Sequence, residues 1–144
     1  MNMNQWILPI ALVLCGACSG QVDLQPDGQP GPSVSFAGDT AVLELPVGRS
    51  ADNGGISVTF DGVAGDSRCP RDVQCVWEGN AAIRLTLTGG DETRTVILNS
   101  SLDPLGTSFG PYMIGFRGLT SYPGSGEPLD QGEYVAQVSV VDTR

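Results

Sequence analysis

Residues 81–98 read AAIRLTLTGGDETRTVIL and carry the clearest strand pattern in the chain. Apolar and polar residues alternate in its first half, a period of two that is typical of a strand with one buried face. Gly89 and Gly90 follow with turn chemistry, because glycine adopts backbone conformations that other residues avoid. The stretch therefore predicts a β-hairpin with strands over 81–88 and 92–98.

Three further segments show the same alternation. Their apolar positions are Val42, Leu43, Leu45, Ile56, Val58, Phe60, Tyr134, Ala136, Val138 and Val140. Turns rich in glycine, proline and aspartate separate these segments, and no long window has helical periodicity. The sequence predicts one all-β domain over 34–144, a single antiparallel β-sandwich or small barrel of about seven to eight strands.

The N-terminus carries the features of an export signal. Residues 6–17, WILPIALVLCGA, are a short apolar run ending in small residues, whereas a membrane-spanning helix needs about 20 apolar residues. A leucine and two small residues before Cys18 resemble a bacterial lipobox, with Cys15 inserted between them and no Lys or Arg before the apolar run. We predict a cleaved signal peptide over 1–17 and lipidation of Cys18. Plain secretion and an uncleaved anchor are the alternatives.

Residues 18–33 are rich in proline and glycine and poor in large apolar side chains, which predicts a disordered tether. A flexible chain of about 15 residues has a reach of roughly 20 Å. Ser19 follows the lipidated cysteine where an aspartate would resemble an inner-membrane retention signal. We therefore predict an outer membrane lipoprotein, facing the periplasm or the exterior, that contacts the membrane through its lipid anchor.

The charge balance excludes several partners. The net charge is -9, every basic residue is arginine, and the chain has no histidine. Nucleic acid and anionic lipid need clustered cations on the protein, so neither is an expected partner. A basic partner protein is compatible with this charge.

The composition also argues against catalysis. Residues 106–110, GTSFG, match the nucleophile elbow of hydrolases, but that elbow needs a histidine base, and histidine is absent from the sequence. A zinc or copper site lacks ligands for the same reason. Acid–base chemistry and calcium binding are open to a few loop carboxylates, namely Asp52, Asp61, Asp66, Asp72 and Glu78. We predict that the protein is not an enzyme and has no metal site and no small-molecule cofactor.

Residues 66–81, DSRCPRDVQCVWEGNA, form the most distinctive segment of the predicted domain. Two cysteines six positions apart in an exported chain indicate a disulfide. The other two cysteines are assigned to the signal and to lipidation, so Cys69 and Cys75 are expected to pair. Trp77, two residues beyond, is predicted to pack against this bridge in the core.

The pattern DSRCPxxVxCxWxGxA in this segment resembles a motif of small exported or lipid-anchored bacterial domains of unassigned activity. Glu78 stands where such domains are expected to have a small residue. The resemblance implies a family of envelope domains and supplies no reaction or ligand.

Two functions fit the sequence. The first is a non-catalytic structural or accessory module of the envelope. The second is a binder or inhibitor of an envelope or foreign protein that uses the loop over 68–78, since a disulfide preorganises the loop and lowers the entropic cost of binding. The candidate binding residues there are Arg68, Arg71, Asp72 and Glu78. Residues 109–122 are a second candidate surface, with core packing as the alternative.

Overall fold

The structure is a computed structural model that describes residues 28, 30–125 and 129–144. The predicted signal peptide, the lipidation site at Cys18 and most of the predicted tether lie outside these residues. Strand β1 begins at Ser33, the last residue of that tether.

The described chain is built almost entirely of β-strands. They are β1 (Ser33–Ala37), β2 (Thr40–Pro46), β3 (Ser50–Asn53), β4 (Ile56–Asp66), β5 (Ala81–Gly89), β6 (Glu92–Asn99), β7 (Gly106–Phe109), β8 (Tyr112–Thr120) and β9 (Val135–Asp142). The only helical element among the described residues is a 3-10 turn, Gln131–Glu133. The all-β prediction is confirmed.

The strands form two antiparallel sheets that pack as a sandwich. One sheet has five strands in the order β1-β2-β9-β8-β7, and the other has four in the order β3-β4-β5-β6. Neither sheet closes into a barrel. The strands exceed the predicted number because β1, β3 and β7 are only four or five residues long and bury few side chains, so their alternation is too weak to detect.

The alternating residues form the core, as the period of two predicts. The β5–β6 hairpin pairs Leu85 with Val96 and Ile83 with Leu98, with the turn between Gly89 and Glu92. The largest fully buried side chains come from both sheets: Phe60, Leu43, Leu45, Ile56, Ile83, Leu85, Leu87, Leu98, Ile114, Val58, Val138 and Val140. Burying a side chain of this size stabilises the fold by about 1.5–3 kcal/mol before entropic costs.

The connections divide between the two ends of the sandwich. The tight turns β3–β4, β5–β6 and β7–β8 lie at one end, and the longer β4–β5, β6–β7 and β8–β9 connections lie at the other. Two β-bulges in β4, at Phe60/Gly62 and Val63/Gly65, shift its pairing with β5 near the end that carries the longer connections. Such bulges bend a strand and increase its twist. The cysteine segment is the β4–β5 connection.

Candidate functional site

The stapled loop, residues 67–80, joins β4 to β5 and prolongs their pairing beyond the sheet. Ser67 N donates to Asn80 O at 2.8 Å, and Cys69 N donates to Glu78 O at 2.9 Å. Gly79 makes this close pairing possible, because its φ is +76° and a Cβ there would lie 1.9 Å from the Ser67 carbonyl oxygen. The loop therefore consists of two paired arms and a tip.

A disulfide closes the tip of the stapled loop. Cys69 and Cys75 are bonded, with their Cα atoms 5.9 Å apart, which confirms the predicted bridge. The closed ring is short, so the bridge is expected to stabilise the loop by about 2 kcal/mol on chain-entropy grounds.

Arg68, on the first arm, points into the protein. The residue is 9% exposed. Nε and Nη2 donate to the two carboxylate oxygens of Asp66 at 2.9 and 2.7 Å, and Nη1 and Nη2 donate to the carbonyl oxygens of Leu119 and Ser121 at 2.8 Å. These bonds use four of the five donors of the guanidinium. The structure thus assigns this predicted binding residue to the support of the loop.

Asp66 is the buried anion that Arg68 neutralises. Burial by itself raises the pKa of this carboxyl, but the hydrogen bonds and the charge of Arg68 outweigh burial and lower it from 3.8. The hydroxyl of Tyr134 donates a further hydrogen bond at 3.1 Å. Burial, together with the Asp66 charge, raises the pKa of Tyr134, so the phenol keeps its proton. This pair and its tyrosine link the stapled loop to β9.

Arg71 and Asp72, at the tip, contact the connection between β8 and β9. The Arg71 guanidinium lies 4.8 Å from the centre of the Tyr122 ring, and the Arg68 guanidinium lies 4.3 Å from the same centre. Asp72 accepts hydrogen bonds from the backbone N–H of Ser125, at 2.9 Å, and from its hydroxyl. The bond from Ser125 lowers the pKa of Asp72, so the carboxylate is charged at neutral pH.

Trp77, on the second arm, is not in the core, and this part of the prediction is wrong. Its side chain is 82% exposed, and that of the preceding Val76 is 93% exposed. The reason is that the second arm extends past the sheets, where its backbone pairs with the first arm and no sheet packs over the Trp77 side chain. Arg68 and Tyr134 are both buried at this end, where they flank Asp66.

Trp77 forms one wall of a depression that we call the loop groove. The groove has a volume of about 430 Å³. It is lined by Ser67, Trp77, Glu78, Gly79, Asn80, Ser101 and Leu102. Glu78 and Gly79 also line a second depression of about 280 Å³ beside Tyr122 and Phe116. Glu78, a predicted binding residue, therefore lies where the two depressions meet.

Asn80 sets the opposite wall of the loop groove. Its side-chain nitrogen donates to Asn99 Oδ1 at 2.8 Å, and its side-chain oxygen accepts from the backbone N–H groups of Ser100 and Ser101 at 3.2 and 3.1 Å. These bonds fix the β6–β7 connection, which presents Leu102 with 60% of its side chain exposed. Leu102 was not among the predicted site residues, although a lone leucine in the polar turn SSLDP was a usable signal.

The residues of the other candidate sites are buried in the core or are not grouped into a site. Most large apolar side chains of residues 109–122 are core residues, since Phe109, Tyr112, Ile114 and Leu119 are buried. Ser108 lies in strand β7, which runs into a hairpin rather than into a helix. Asp61 accepts a hydrogen bond from Thr86 at 2.8 Å. Among the described residues, no three histidine, cysteine, aspartate or glutamate side chains are grouped as metal ligands would be.

Exposed apolar side chains occur elsewhere as well. Val34 and Phe36 on edge strand β1 and Ile97 on edge strand β6 are examples. The stapled loop differs because Val76 and Trp77 are adjacent and share one end of the molecule with Leu102 and Leu105, which are 60% and 50% exposed.

Comparisons with protein-family models, with curated proteins and with solved structures found no match for this chain. Within the described part of the chain, no helix is long and apolar enough to cross a membrane. The class of this protein is therefore stated from its fold and its site: a β-sandwich with a disulfide-stapled loop between β4 and β5.

Proposed function

We propose that this protein is a lipid-anchored, non-catalytic binding module of the bacterial envelope, an outer membrane lipoprotein that captures a partner protein with its stapled loop. The observation that carries the proposal is the exposure of Trp77 at 82% on a loop that a disulfide and several hydrogen bonds hold in place. Of the two functions that fit the sequence, a binding module gives this side chain a role, whereas the packing of the sandwich does not use it.

The energetics favour a binding role for this residue. A tryptophan buries about 150–250 Å² in a contact, and at about 25 cal/mol per Å² this is worth roughly 4–6 kcal/mol before the entropic costs of association. Tryptophan is also enriched among the residues that dominate binding energies. Val76 and Leu102 enlarge the apolar surface beside it.

The rigidity of the loop supports the same role. The disulfide, the paired arms and the contact of Asp72 with Ser125 all restrain the tip before any partner arrives. A preorganised loop loses less conformational entropy on binding.

The anchor is tested through Cys18. We expect mass spectrometry of the N-terminal peptide of the mature protein to find an acylated Cys18, and Cys18→Ser to release the protein from the membrane fraction. An unmodified Cys18, or a Cys18→Ser variant that stays in the membrane fraction, would overturn this part of the proposal.

The binding role is tested by capture from envelope extract. Three forms of the mature chain are compared: the natural chain, Trp77→Ala, and Phe36→Ala as a control with another exposed aromatic residue, 70% exposed on β1. We expect a specific protein to be retained by the natural chain and by Phe36→Ala but not by Trp77→Ala. Equal capture by all three forms, or by none, would contradict the proposed surface.

A further inference from the structure

We propose that the loop groove holds a lysine or arginine side chain of the partner protein, with the cation between the Trp77 ring and the Glu78 carboxylate. This inference rests on the proposed binding function and specifies the chemistry of the partner.

The walls of the groove fit the stem of such a side chain. Trp77 and Leu102 line a depression of about 430 Å³ and are 82% and 60% exposed. Lysine and arginine bury their methylene groups along apolar surfaces while their charged ends stay near polar groups. The groove therefore offers an apolar lining to the stem and a polar region to the end.

Two groups in the groove suit a cation. The indole ring attracts a cation to its face, with tryptophan the strongest of the aromatic side chains in this respect. Within the described part of the chain, the Glu78 carboxylate has no ion pair and no side-chain hydrogen bond, although it lines the groove. A partner cation can therefore pair with this exposed carboxylate without displacing an internal partner.

The protein's own cations near the loop are held elsewhere. Arg68 is bound to Asp66, and Arg71 lies against the ring of Tyr122. Neither of them lines the loop groove. The two contacts on Tyr122 show that a guanidinium on an aromatic ring is already part of the chemistry of this end of the molecule.

The charge of the whole chain points in the same direction. The net charge is -9 and the sequence has no lysine. An acidic protein steers a basic partner toward itself and repels an acidic one. Charge complementarity thus selects a basic protein segment as the occupant.

The test uses three acetylated, amidated tripeptides with the sequences Gly-Lys-Gly, Gly-Arg-Gly and Gly-norleucine-Gly. Norleucine has a similar apolar stem without the cation. Binding to the mature chain from Cys18 onward is followed by backbone NMR shifts and by the fluorescence of Trp77, the one tryptophan after the predicted cleavage site. We expect weak, saturable binding of the lysine and arginine peptides and at least fivefold weaker binding of the norleucine peptide.

Four variants separate the parts of the groove. Glu78→Gln should weaken the two cationic peptides at least threefold and leave the norleucine peptide unchanged, whereas Leu102→Ala should weaken all three alike. Trp77→Ala should abolish the shifts. Glu92→Gln makes the same charge change near the β5–β6 turn, at the other end of the sandwich, and should have no effect.

Equal binding of the norleucine and lysine peptides, or a Glu78→Gln variant that binds lysine normally, would overturn the cationic assignment. Either result would leave the capture of an apolar partner by Trp77 intact, so this inference and the proposed function can fail separately. If Trp77→Ala loses capture of the partner but none of the three peptides binds the natural chain, the inference is overturned too. A shift of Trp77 fluorescence on phosphatidylcholine vesicles, with no response to the peptides, would assign the groove to a membrane surface instead of a protein.

Discussion

The two arms of the stapled loop differ in the burial of their largest side chains. Arg68, on the first arm, is 9% exposed, whereas Trp77, on the second arm, is 82% exposed. Residue type alone predicts the reverse, because charged side chains are rarely buried and tryptophan is mostly buried. The difference shows that position relative to the packed layers, and the supply of hydrogen-bond partners, decides burial at the ends of this sandwich.

The buried arginine is tolerable because each part of it has a partner. The Asp66 carboxylate balances its charge, and the carbonyl oxygens of Leu119, near the end of β8, and of Ser121, just after that strand, accept its remaining bonds. A buried charge without such partners is strongly destabilising. The exposed tryptophan, in contrast, lies on an arm that no second layer covers.

The largest expected effect in the comparison comes from Arg68. Replacing it with methionine keeps much of the volume but leaves the Asp66 carboxylate buried without its counter-charge, so we expect a loss of about 3–5 kcal/mol in the free energy of unfolding. Urea denaturation measures it. Arg71→Met is the control and should change stability by no more than about 0.5 kcal/mol, since Arg71 is exposed. Similar losses in both variants would contradict the conclusion that only Arg68 supports the fold.

Gly79 tests whether the arms must pair closely. Alanine at this position would place its Cβ 1.9 Å from the Ser67 carbonyl oxygen at a φ of +76°, and we expect a cost of about 3 kcal/mol from the forced backbone shift and the strained φ. Gly90→Ala is the matched control, because Gly90 also has a positive φ but open space around it. It should cost about 1 kcal/mol. Equal costs would mean that the arms can separate freely.

The disulfide tests whether the bridge and Trp77 are in contact. The double variant Cys69→Ser, Cys75→Ser should lose about 2 kcal/mol of stability, the chain-entropy contribution of so short a ring. Because Trp77 is already exposed, its emission maximum should change little in this variant. A large red shift of the emission maximum in the double variant would indicate that the bridge shields the indole ring in solution, in agreement with the prediction that Trp77 packs against it.

Tyr134→Phe sharpens the account of the buried pair. It removes one hydrogen bond to the Asp66 carboxylate and should cost about 1 kcal/mol at neutral pH. The folded pKa of Asp66 lies below its ordinary value of 3.8, so the ionised form contributes stability above that value and loses it as the pH falls through the folded pKa. The stability difference between the variant and the natural chain should therefore shrink in acid. A difference that is constant between pH 7 and pH 2 would contradict the role of this bond.

The smallest expected effect is that of Trp77→Ala. We expect a change of no more than about 0.5 kcal/mol in stability, as for an exposed residue, and an emission maximum in the natural chain near that of free tryptophan. Phe60→Ala is the contrast, since Phe60 is 0% exposed and its truncation should cost about 3–5 kcal/mol. A loss of several kcal/mol in the free energy of unfolding of Trp77→Ala would mean that Trp77 is buried in the core after all.

Much of the fold was predictable because its signals are local. The alternation in residues 81–98 and the glycines between its two halves predict a hairpin, and the structure has it. The pairing of Cys69 with Cys75 followed from their spacing and from the roles of the other cysteines. The short strands β3 and β7 were not predictable, because four residues with few apolar side chains do not make a pattern.

The site was predicted only in part. The sequence pointed to the right loop, and Glu78 lies in the groove as a candidate binding residue. It did not reveal that Leu102, from a connection more than twenty residues further along the chain, forms the facing wall. Contacts of this kind depend on the meeting of the β4–β5 and β6–β7 connections at one end of the sandwich, which no local pattern records.

The all-β class, the main hairpin, the core positions of the strands and the stapled loop follow from local sequence, because period-two alternation, turn chemistry and cysteine spacing act between near neighbours in the chain. Which arm of the loop faces inward depends on the packing of distant elements. Burial there depends on whether a second layer covers a side chain and whether distant carbonyl and carboxylate oxygens meet it. Arg68 has those partners, and Trp77 has no layer above it.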